Sequence, residues 1–306
     1  MKFYMAPMEG MTWYIFRNAY HKYFHNIDKY FTPFIASTGL SFKERNDVLP
    51  QHNEGIEVVP QILTNKAEDF LEIAQKMESY GYKTVNLNLG CPAGTVVTKG
   101  KGAGFLAYPE QLNRFLDEVF SKCKTRISIK TRLGMESYEE WNALQEIFNQ
   151  YPIEELIIHP RVQKDLYRNP VNLAVFEEAC EGLKMPVCYN GDIHSVAAYE
   201  KFIEHFPQTD TIMLGRGIFK NPGLVGEIKG EERPQISLLR AFHDEVLSGY
   251  REIMSGDLNA LYKMKEIWIY WGESFEGCDK ELKTIKKTKS MTEYNAAVRS
   301  IFDKNK

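Results

Sequence analysis

The chain has 306 residues, a length that suits one barrel of ~250 residues with a small appended unit. Its 43% hydrophobic and 26% charged residues are typical of a folded globular protein and argue against a disordered chain. The net charge of -3 provides no overall attraction to nucleic acid, so an RNA partner would need a local basic surface.

Short runs rich in β-branched and aromatic residues alternate with longer amphipathic segments from the N-terminus to about Ile228. This alternation predicts repeated strand–helix units, and eight such strands close a (β/α)₈ TIM barrel. The predicted strands are Lys2–Ala6, Tyr30–Ile35, Glu57–Leu63, Thr84–Leu89, Arg126–Lys130, Glu155–His159, Pro186–Tyr189 and Thr209–Leu214. The predicted helices are Ala67–Tyr80, Pro109–Lys122, Tyr138–Gln150, Asn172–Glu181, Val196–His205 and Gly217–Ile228, with N-caps at Ser137 and Ser195.

Two stretches depart from this rhythm. Ala36–Gly55 contains Gly39, Pro50 and mixed charges, so we interpret it as a functional loop or lid. Near Lys229–Pro234 the alternation stops and helical spacing continues to the end of the chain, which predicts a barrel domain over residues 1–232 and a small C-terminal helical bundle over 235–306. Its predicted helices are Ile236–Met254, Asp257–Trp271, Asp279–Thr288 and Met291–Phe302.

Several other classes of protein are disfavoured by the sequence. The five cysteines are odd in number and widely spaced, which argues against a disulfide framework and a zinc site. His21 and His25 have helical spacing without a further ligand nearby, so we expect no metal. No apolar run is long enough for a membrane span and the first eight residues are too short for a signal sequence, so we expect a cytoplasmic protein.

Polar residues follow most of the predicted strands at the end where barrels carry their active sites. Each has an ordinary explanation by itself, such as a strand end reaching water for Gln61 or a simple turn for Asn190–Asp192. Together they converge on one axis, and a barrel mouth lined in this way is the expected place for a cofactor. The stretches are Pro7–Gly10, Gln61, Asn88–Pro92, Lys130–Arg132, His159–Arg161, Asn190–Asp192 and Gly215–Arg216.

The order of these motifs resembles that of the bacterial-type tRNA-dihydrouridine synthases. The shared elements are A-P-M near the start, N-x-G-C-P after strand four, K-x-R after five, H-x-R after six, N-G-D after seven and G-R after eight, spanning residues 3 to about 225. Val96–Leu106 is similar to the glycine-rich active-site loop of that family. The resemblance implies an FMN-dependent enzyme that reduces specific uridines in tRNA to 5,6-dihydrouridine, with NADPH as a transient reductant.

The resemblance also implies roles for single residues at the mouth. A reduced flavin accumulates negative charge at N1/O2, which the Lys130 ammonium would stabilise in a partly desolvated site. Its phosphate would lie among the backbone N–H groups that precede the short helix after strand eight. The implied cofactor-binding residues are Pro7, Met8, Glu9, Gln61, Lys130, His159, Asn190, Gly191, Asp192, Gly215 and Arg216.

Cys91 is the predicted catalytic residue, because its Gly-Cys-Pro loop lies at the catalytic end of a strand, whereas most free cysteines are buried. Reduction of the uracil C5=C6 bond needs hydride at C6, which the resemblance assigns to FMN N5, and a proton at C5. A thiol with a pKa near ~8.5 can supply that proton at neutral pH. Asn88 and Arg132 would hold the uracil edge, although loop structure and a surface ion pair are alternative explanations.

A uridine in folded tRNA must leave its stack to reach the mouth, so the enzyme needs a surface for the phosphate backbone. The helical bundle has five lysines from Lys280 to Lys289, a run that is also typical of a solvated face. Two other functions stay open: a flavin barrel reductase or dehydrogenase acting on a free pyrimidine, and a catalytically silent RNA-binding flavoprotein. No obligate protein partner and no membrane association is indicated.

Overall fold

The computed structural model describes residues 1–306 and contains a closed barrel of eight parallel strands in chain order. The barrel closes where β8 pairs with β1, with Thr211 opposite Lys2 and Leu214 opposite Met5. The predicted (β/α)₈ architecture is therefore confirmed. The strands are β1 Lys2–Met5, β2 Lys29–Ile35, β3 Val58–Ile62, β4 Thr84–Leu89, β5 Arg126–Arg132, β6 Leu156–His159, β7 Val187–Tyr189 and β8 Thr211–Leu214.

Helices surround the barrel and form the whole C-terminal region. The predicted helices are confirmed with ends shifted by at most three residues, except that Gly217–Ile228 divides in two. The division falls before Pro222, because the residue preceding a proline is forced into an extended conformation, here at Asn221. The helices are α1 Tyr14–Phe24, α2 Phe42–Val48, α3 Ala67–Ser79, α4 Gly94–Val97, α5 Pro109–Lys122, α6 Trp141–Phe148, α7 Leu173–Cys180, α8 Val196–His205, α9 Arg216–Lys220, α10 Leu224–Ile228, α11 Ile236–Ile253, α12 Asp257–Trp271, α13 Asp279–Lys287 and α14 Met291–Lys304. None of them combines the length and apolar character needed to cross a membrane.

Helices α1 and α2 are not predicted by the sequence periodicity. Helix α1 lies between the barrel and the bundle, where Phe16 stacks on Phe219 at a centroid distance of 4.4 Å and meets the edge of Phe242 at 5.6 Å. Apolar neighbours on both sides leave α1 only a narrow exposed face, on which Lys22 alone is fully exposed. Helix α2 interrupts the predicted lid and begins at a capping box formed by Ser41 and Glu44.

The C-terminal helices share one continuous hydrophobic core with the barrel. Helix α11 runs antiparallel to α1, since Gly249 lies against Ile15 while Glu245 pairs with Lys22 at the far end. A Cβ at Gly249 would lie 2.8 Å from Ile15 Cγ2, so the glycine permits the close approach of the two helices. The predicted domains, 1–232 and 235–306, are thus joined through buried aromatic packing.

A separate apolar cluster fills the inside of the barrel below the mouth. It consists of inward-facing residues from six strands, as expected for a barrel with a packed interior. The polar side chains of the mouth lie directly above this plug. Its members are Tyr4, Ala6, Phe31, Val59, Ile157, Cys188 and Met213.

Candidate active site

The mouth of the barrel is lined by side chains from the C-terminal ends of the strands. In the strand register Asn88 lies opposite Lys130, and Arg132 lies opposite His159. Side chains alternate between the two faces of a strand, so His159 points inward like Ile157 of the plug, two residues earlier. By this alternation and their mutual contacts, the structure brings five predicted residues into one layer: Gln61, Asn88, Lys130, His159 and Asn190.

Amide side chains connect this layer to the loop that carries Cys91. Asn88 Nδ2 donates to Gln61 Oε1 at 2.7 Å, and Gln61 Nε2 donates to Asn86 Oδ1 at 2.8 Å. Asn88 Oδ1 accepts from the backbone N–H groups of Gly90 at 3.0 Å and Cys91 at 2.9 Å. The Asn88 amide therefore fixes the position of Cys91 and keeps one Nδ2 hydrogen available, so its contact with uracil stays a prediction.

Cys91 is half-buried, and the glycine-rich loop folds back against it. Ala103 N donates to the Cys91 carbonyl oxygen at 3.1 Å. A Cβ at Gly102, where φ is +57°, would lie 2.9 Å from that oxygen, so only glycine fits there without strain. Burial raises the pKa of the Cys91 thiol above its ordinary value despite the opposing charge of Lys130. Cys91 consequently keeps its proton at neutral pH.

Lys130 places a poorly compensated positive charge in the mouth. Burial, followed by the repulsion of Arg132, lowers the pKa of Lys130 from 10.5 to about 8. The ion pairs at the mouth join Asp192 to Arg161 and Arg216, and neither includes Lys130. Of four cationic side chains at the mouth, Lys130, Arg132, Arg161 and Arg216, only the last two pair with a carboxylate, and this excess of positive charge favours an anionic ligand.

His159 is held as a neutral imidazole. Its Nδ1 lies 2.6 Å from the Asn190 carbonyl oxygen, and its Nε2 lies 3.0 Å from Arg161 Nη1. Because an arginine can only donate, Nε2 is the acceptor and Nδ1 carries the hydrogen. Burial, with the charges of Lys130 and the nearby arginines, places the pKa of His159 well below its ordinary value. Asn190 itself donates from Nδ2 to the Met213 carbonyl oxygen at 2.8 Å.

Asp192 joins the loops after β6, β7 and β8. Its carboxylate accepts from Arg161 and from Arg216 Nη2, the latter at 2.5 Å. Burial raises the pKa of Asp192, but the hydrogen bond and charge of Arg161 and the charge of Arg216 outweigh it and lower the pKa overall. The backbone N–H groups of Gly191, Asp192, Gly215 and Arg216 have no acceptor within the protein. Such free donors beside two arginines fit a phosphate.

Arg132 is buried at 1% exposure and bridges two loops rather than forming a surface ion pair. Its Nε donates to the Gly90 carbonyl oxygen at 3.0 Å, and its two Nη groups donate at 2.9 Å to the carbonyl oxygens of Val162 and Leu166. The side chain therefore ties the Cys91 loop to the loop after β6, and its predicted contact with uracil stays a prediction. Two of its five N–H groups are free of these bonds.

The sequence analysis assigns no role to two residues of this site: Arg161, which it places at the mouth, and Tyr167, which it does not mention. Arg161 is the last residue of the H-x-R motif, so the sequence held a signal for it. Tyr167 is 55% exposed, with its ring centre 4.8 Å from the guanidinium carbon of Arg216 and 5.3 Å from that of Arg132. The preceding Leu166 has φ +50°, which is uncommon for a non-glycine residue. No sequence pattern marks Tyr167.

The β1 loop forms the remaining wall of the mouth. Met8 N donates to Thr12 Oγ1 at 2.9 Å, and a Cβ at Gly215 would lie 3.5 Å from Met8 Sδ, so the loops after β1 and β8 adjoin. Pro7 is half-buried in the same loop. Glu9 instead directs its carboxylate to Lys43 Nζ at 2.8 Å in an exposed ion pair. The predicted cofactor contacts of this loop stay predictions.

Comparison with known proteins gives a consistent family match. The family model described as dihydrouridine synthase (Dus) matches residues 4–303. The tRNA-dihydrouridine synthase B of Pasteurella multocida (strain Pm70) is 29% identical over 239 residues, which cover 73% of this chain and 67% of that protein. A probable tRNA-dihydrouridine synthase of Staphylococcus aureus (strain Mu50 / ATCC 700699) is 30% identical over 235 residues, covering 72% of this chain and 69% of that protein.

Solved structures resemble the barrel at low sequence identity. Morphinone reductase superposes with a TM-score of 0.54 at 13% identity, covering 76% of this chain and 86% of that chain. A GH18 chitinase from Pseudoalteromonas aurantia superposes with a TM-score of 0.51 at 12% identity, covering 75% of this chain and 99% of that chain. Proteins with such different names share this likeness, which therefore shows the fold alone.

Proposed function

Because the chain belongs to the dihydrouridine synthase family, we propose that it reduces uridines in tRNA to 5,6-dihydrouridine. The observation that carries the proposal is a protonated thiol and a poorly compensated ammonium at one barrel mouth, Cys91 and Lys130. Both curated relatives described above carry tRNA-dihydrouridine synthase in their names, which supports tRNA as the substrate. A free uracil or dihydroorotate as substrate is the alternative outcome of the test below.

FMN is the cofactor that we propose for the mouth, and the residues present fit it. Lys130 lacks a carboxylate partner and would face the edge of the ring that becomes negative on reduction. The free N–H groups from Gly191 to Arg216, with the Arg216 side chain, would hold the phosphate. When bound, FMN would supply the hydride for C6 of the uracil, with NADPH as the reductant that restores it.

Cys91 is the residue that we propose as the proton donor to C5. Its raised pKa keeps the thiol protonated until the base requires the proton, and Lys130 and Arg132 would stabilise the thiolate that remains. His159 is unsuited to this task, because its only N–H is donated to the Asn190 carbonyl oxygen. Asn88 acts on Cys91 through the backbone and holds the thiol in place.

The helical bundle offers a surface for the RNA backbone. Five lysines of α13 and the following turn, which we call the lysine face, lie along an open concavity of about 490 Å³ or next to it. None of the five takes part in an ion pair, unlike the lysines at positions 22, 29, 43 and 122. Clustered ammonium groups without carboxylate partners are available for phosphate contacts. The lysine face comprises Lys280, Lys283, Lys286, Lys287 and Lys289.

The lysine face is connected to the mouth through α12. Lys265 Nζ bonds the carbonyl oxygen of Thr288, within the lysine face. Two residues earlier, Lys263 Nζ bonds the Gly10 carbonyl oxygen in the β1 loop at 3.2 Å. Helix α12 therefore contacts both the turn that carries the lysine face and the β1 loop at the mouth.

Mapping of dihydrouridine in tRNA from cells with and without this protein tests the function directly. We expect loss of dihydrouridine at one or a few adjacent positions when the protein is absent, because a docked RNA presents only nearby bases to one mouth. An unchanged map, together with turnover of free uracil or dihydroorotate by the purified protein, would establish the free-pyrimidine alternative.

Cys91→Ala tests the mechanism in the purified enzyme. The variant should keep FMN and its reduction by NADPH, while dihydrouridine formation falls by ~10² or more, as expected for loss of a positioned acid. Cys123→Ala is the matched control, because Cys123 is also half-buried but lies outside the mouth. Turnover of tRNA by Cys91→Ala at the rate of Cys123→Ala would remove the proton-donor role.

A further inference from the structure

Phe42 is the most exposed large apolar side chain of the protein, at 77%. It is the first residue of α2, on the mouth side of β2. Three other exposed aromatic residues belong to loops or helices beside the mouth, but each is a tyrosine whose hydroxyl can bind water. The Phe42 side chain has no polar atom that could bind water, so the cost of exposing its ring to solvent is not reduced. The exposed tyrosines are Tyr108, Tyr167 and Tyr262.

The turn that presents Phe42 is held in one conformation. The Glu44 carboxylate accepts from the backbone N–H groups of Ala36 at 2.8 Å and Ser41 at 2.7 Å. Ser41 Oγ accepts from Glu44 N at 3.2 Å, which completes the capping box. Leu40 is buried with φ +47°, a conformation that costs a branched residue free energy. Phe42 is thus displayed on a rigid turn instead of being left on a flexible loop.

Phe42 lies next to the β1 loop, which forms one wall of the mouth. The next residue, Lys43, bonds Glu9 in the β1 loop at 2.8 Å. In the same loop the Gly10 carbonyl oxygen accepts from Lys263 of α12, the helix that leads to the lysine face. The β1 loop thus adjoins both the turn that carries Phe42 and the helix that contacts the lysine face, so an RNA that enters the mouth over this loop would pass close to Phe42.

We propose that Phe42 stacks on a base of the tRNA next to the target uridine. The inference rests on the proposed function, in which the target uridine leaves its stack and exposes the face of a neighbouring base. A phenyl ring can cover that face whatever the base, because every base has a π surface. Phe42 would then hold the RNA open and in register with the mouth.

Binding and turnover of tRNA by three variants at this position test the proposal. Phe42→Ala should raise both the Kd and the KM for tRNA at least about fivefold, the lower range for loss of one stacked base. Phe42→Trp should stay within about twofold of the parent, since it keeps an aromatic face. Phe42→Leu keeps apolar surface without that face and should resemble Phe42→Ala. FMN content, flavin reduction by NADPH and melting temperature should be unchanged in all three.

Unchanged tRNA binding by Phe42→Ala would overturn the proposal. Binding by Phe42→Leu with the Kd of the parent would also overturn it, because it would indicate an apolar contact that needs no aromatic ring. Kd is measured without turnover, so this test is separate from that of the proposed function. If the parent forms no dihydrouridine but Phe42→Ala still weakens tRNA binding while Phe42→Trp does not, the proposed function fails and the stacking contact stands.

Discussion

Replacement of Lys130 by methionine should stabilise the flavin-free protein at pH 7 and weaken its hold on FMN. The pKa of Lys130 falls from 10.5 to about 8 because the folded protein buries its ammonium. A change of this size corresponds to about 3 kcal/mol against the folded state. Methionine has a similar length and no charge, so Lys130→Met removes that cost. The same ammonium is the proposed counter-charge of the reduced flavin, so the variant should retain less FMN on purification.

The sign of the pH dependence makes this prediction specific. Below about pH 8 Lys130 is charged in both the folded and the unfolded chain, so the full cost is present. Between pH 8 and 10.5 the unfolded chain binds a proton that the folded chain does not, so the stability of the parent rises with pH. The advantage of Lys130→Met should therefore shrink by about 2 kcal/mol between pH 7 and pH 9.5.

Urea unfolding of the flavin-free proteins at pH 7 and pH 9.5 measures the effect. Lys124→Met is the matched control, because it removes one lysine at an exposed position just before β5. The informative quantity is the change with pH in the stability difference between Lys130→Met and the parent. The methionine side chain also adds apolar surface to the mouth, but that effect does not depend on pH. A difference between Lys130→Met and parent that stays constant from pH 7 to pH 9.5 would refute the reasoning about the buried ammonium.

Two further predictions concern the lysine face and the Cys91 loop. Reversal of two lysines on one side of α13, Lys283→Glu with Lys287→Glu, should weaken tRNA binding at least about tenfold and reduce the slope of log Kd against log salt by about 2. Gly102→Ala should lower tRNA turnover and reduce stability by more than ~1 kcal/mol, because φ is +57° and the new methyl would lie 2.9 Å from the Cys91 carbonyl oxygen. Titration of tRNA at several salt concentrations checks the first, and urea unfolding with turnover assays checks the second.

Each of these predictions has a matched control in the chain. A double reversal at Lys124 and Lys201, exposed lysines outside the bundle, changes the net charge equally and should leave the tRNA Kd within about twofold. Gly277 has φ +63° and open space around its Cα, so Gly277→Ala carries only the backbone cost. Equal effects of the two glycine substitutions would contradict the proposed role of Gly102 in positioning Cys91.

The barrel fold and the set of residues that line its mouth can be predicted from local sequence patterns. The hydrogen bonds and ion pairs between those residues cannot. Alternating strand and helix periods predict all eight strands, and the place of a residue after its strand predicts that Asn88, Lys130 and His159 share one layer. The pairing of Asp192 with Arg161 joins residues 31 positions apart and depends on the closed register of β6 and β7. Such contacts have no periodic signature in the chain.

Helix α1 escapes prediction for a related physical reason. Amphipathic spacing reveals a helix only when one side faces water, and α1 buries Phe16 and Tyr20 between the barrel and α11. One of its polar residues, Arg17, is also buried and pairs with Asp47 of α2. Packing on two sides thus leaves α1 a narrow polar face with one exposed residue, Lys22, which is a weaker signal than the wide solvated face of a helix such as α3.

The same packing brings the bundle into contact with one wall of the mouth. Tyr250 of α11 lies against Trp13, just after the β1 loop, with a ring centroid distance of 6.4 Å. Lys263 of α12 bonds the Gly10 carbonyl oxygen in that loop. The helices that lead to the lysine face therefore also support the loop that carries Met8, so RNA binding to the bundle, as proposed, would be felt at one wall of the mouth.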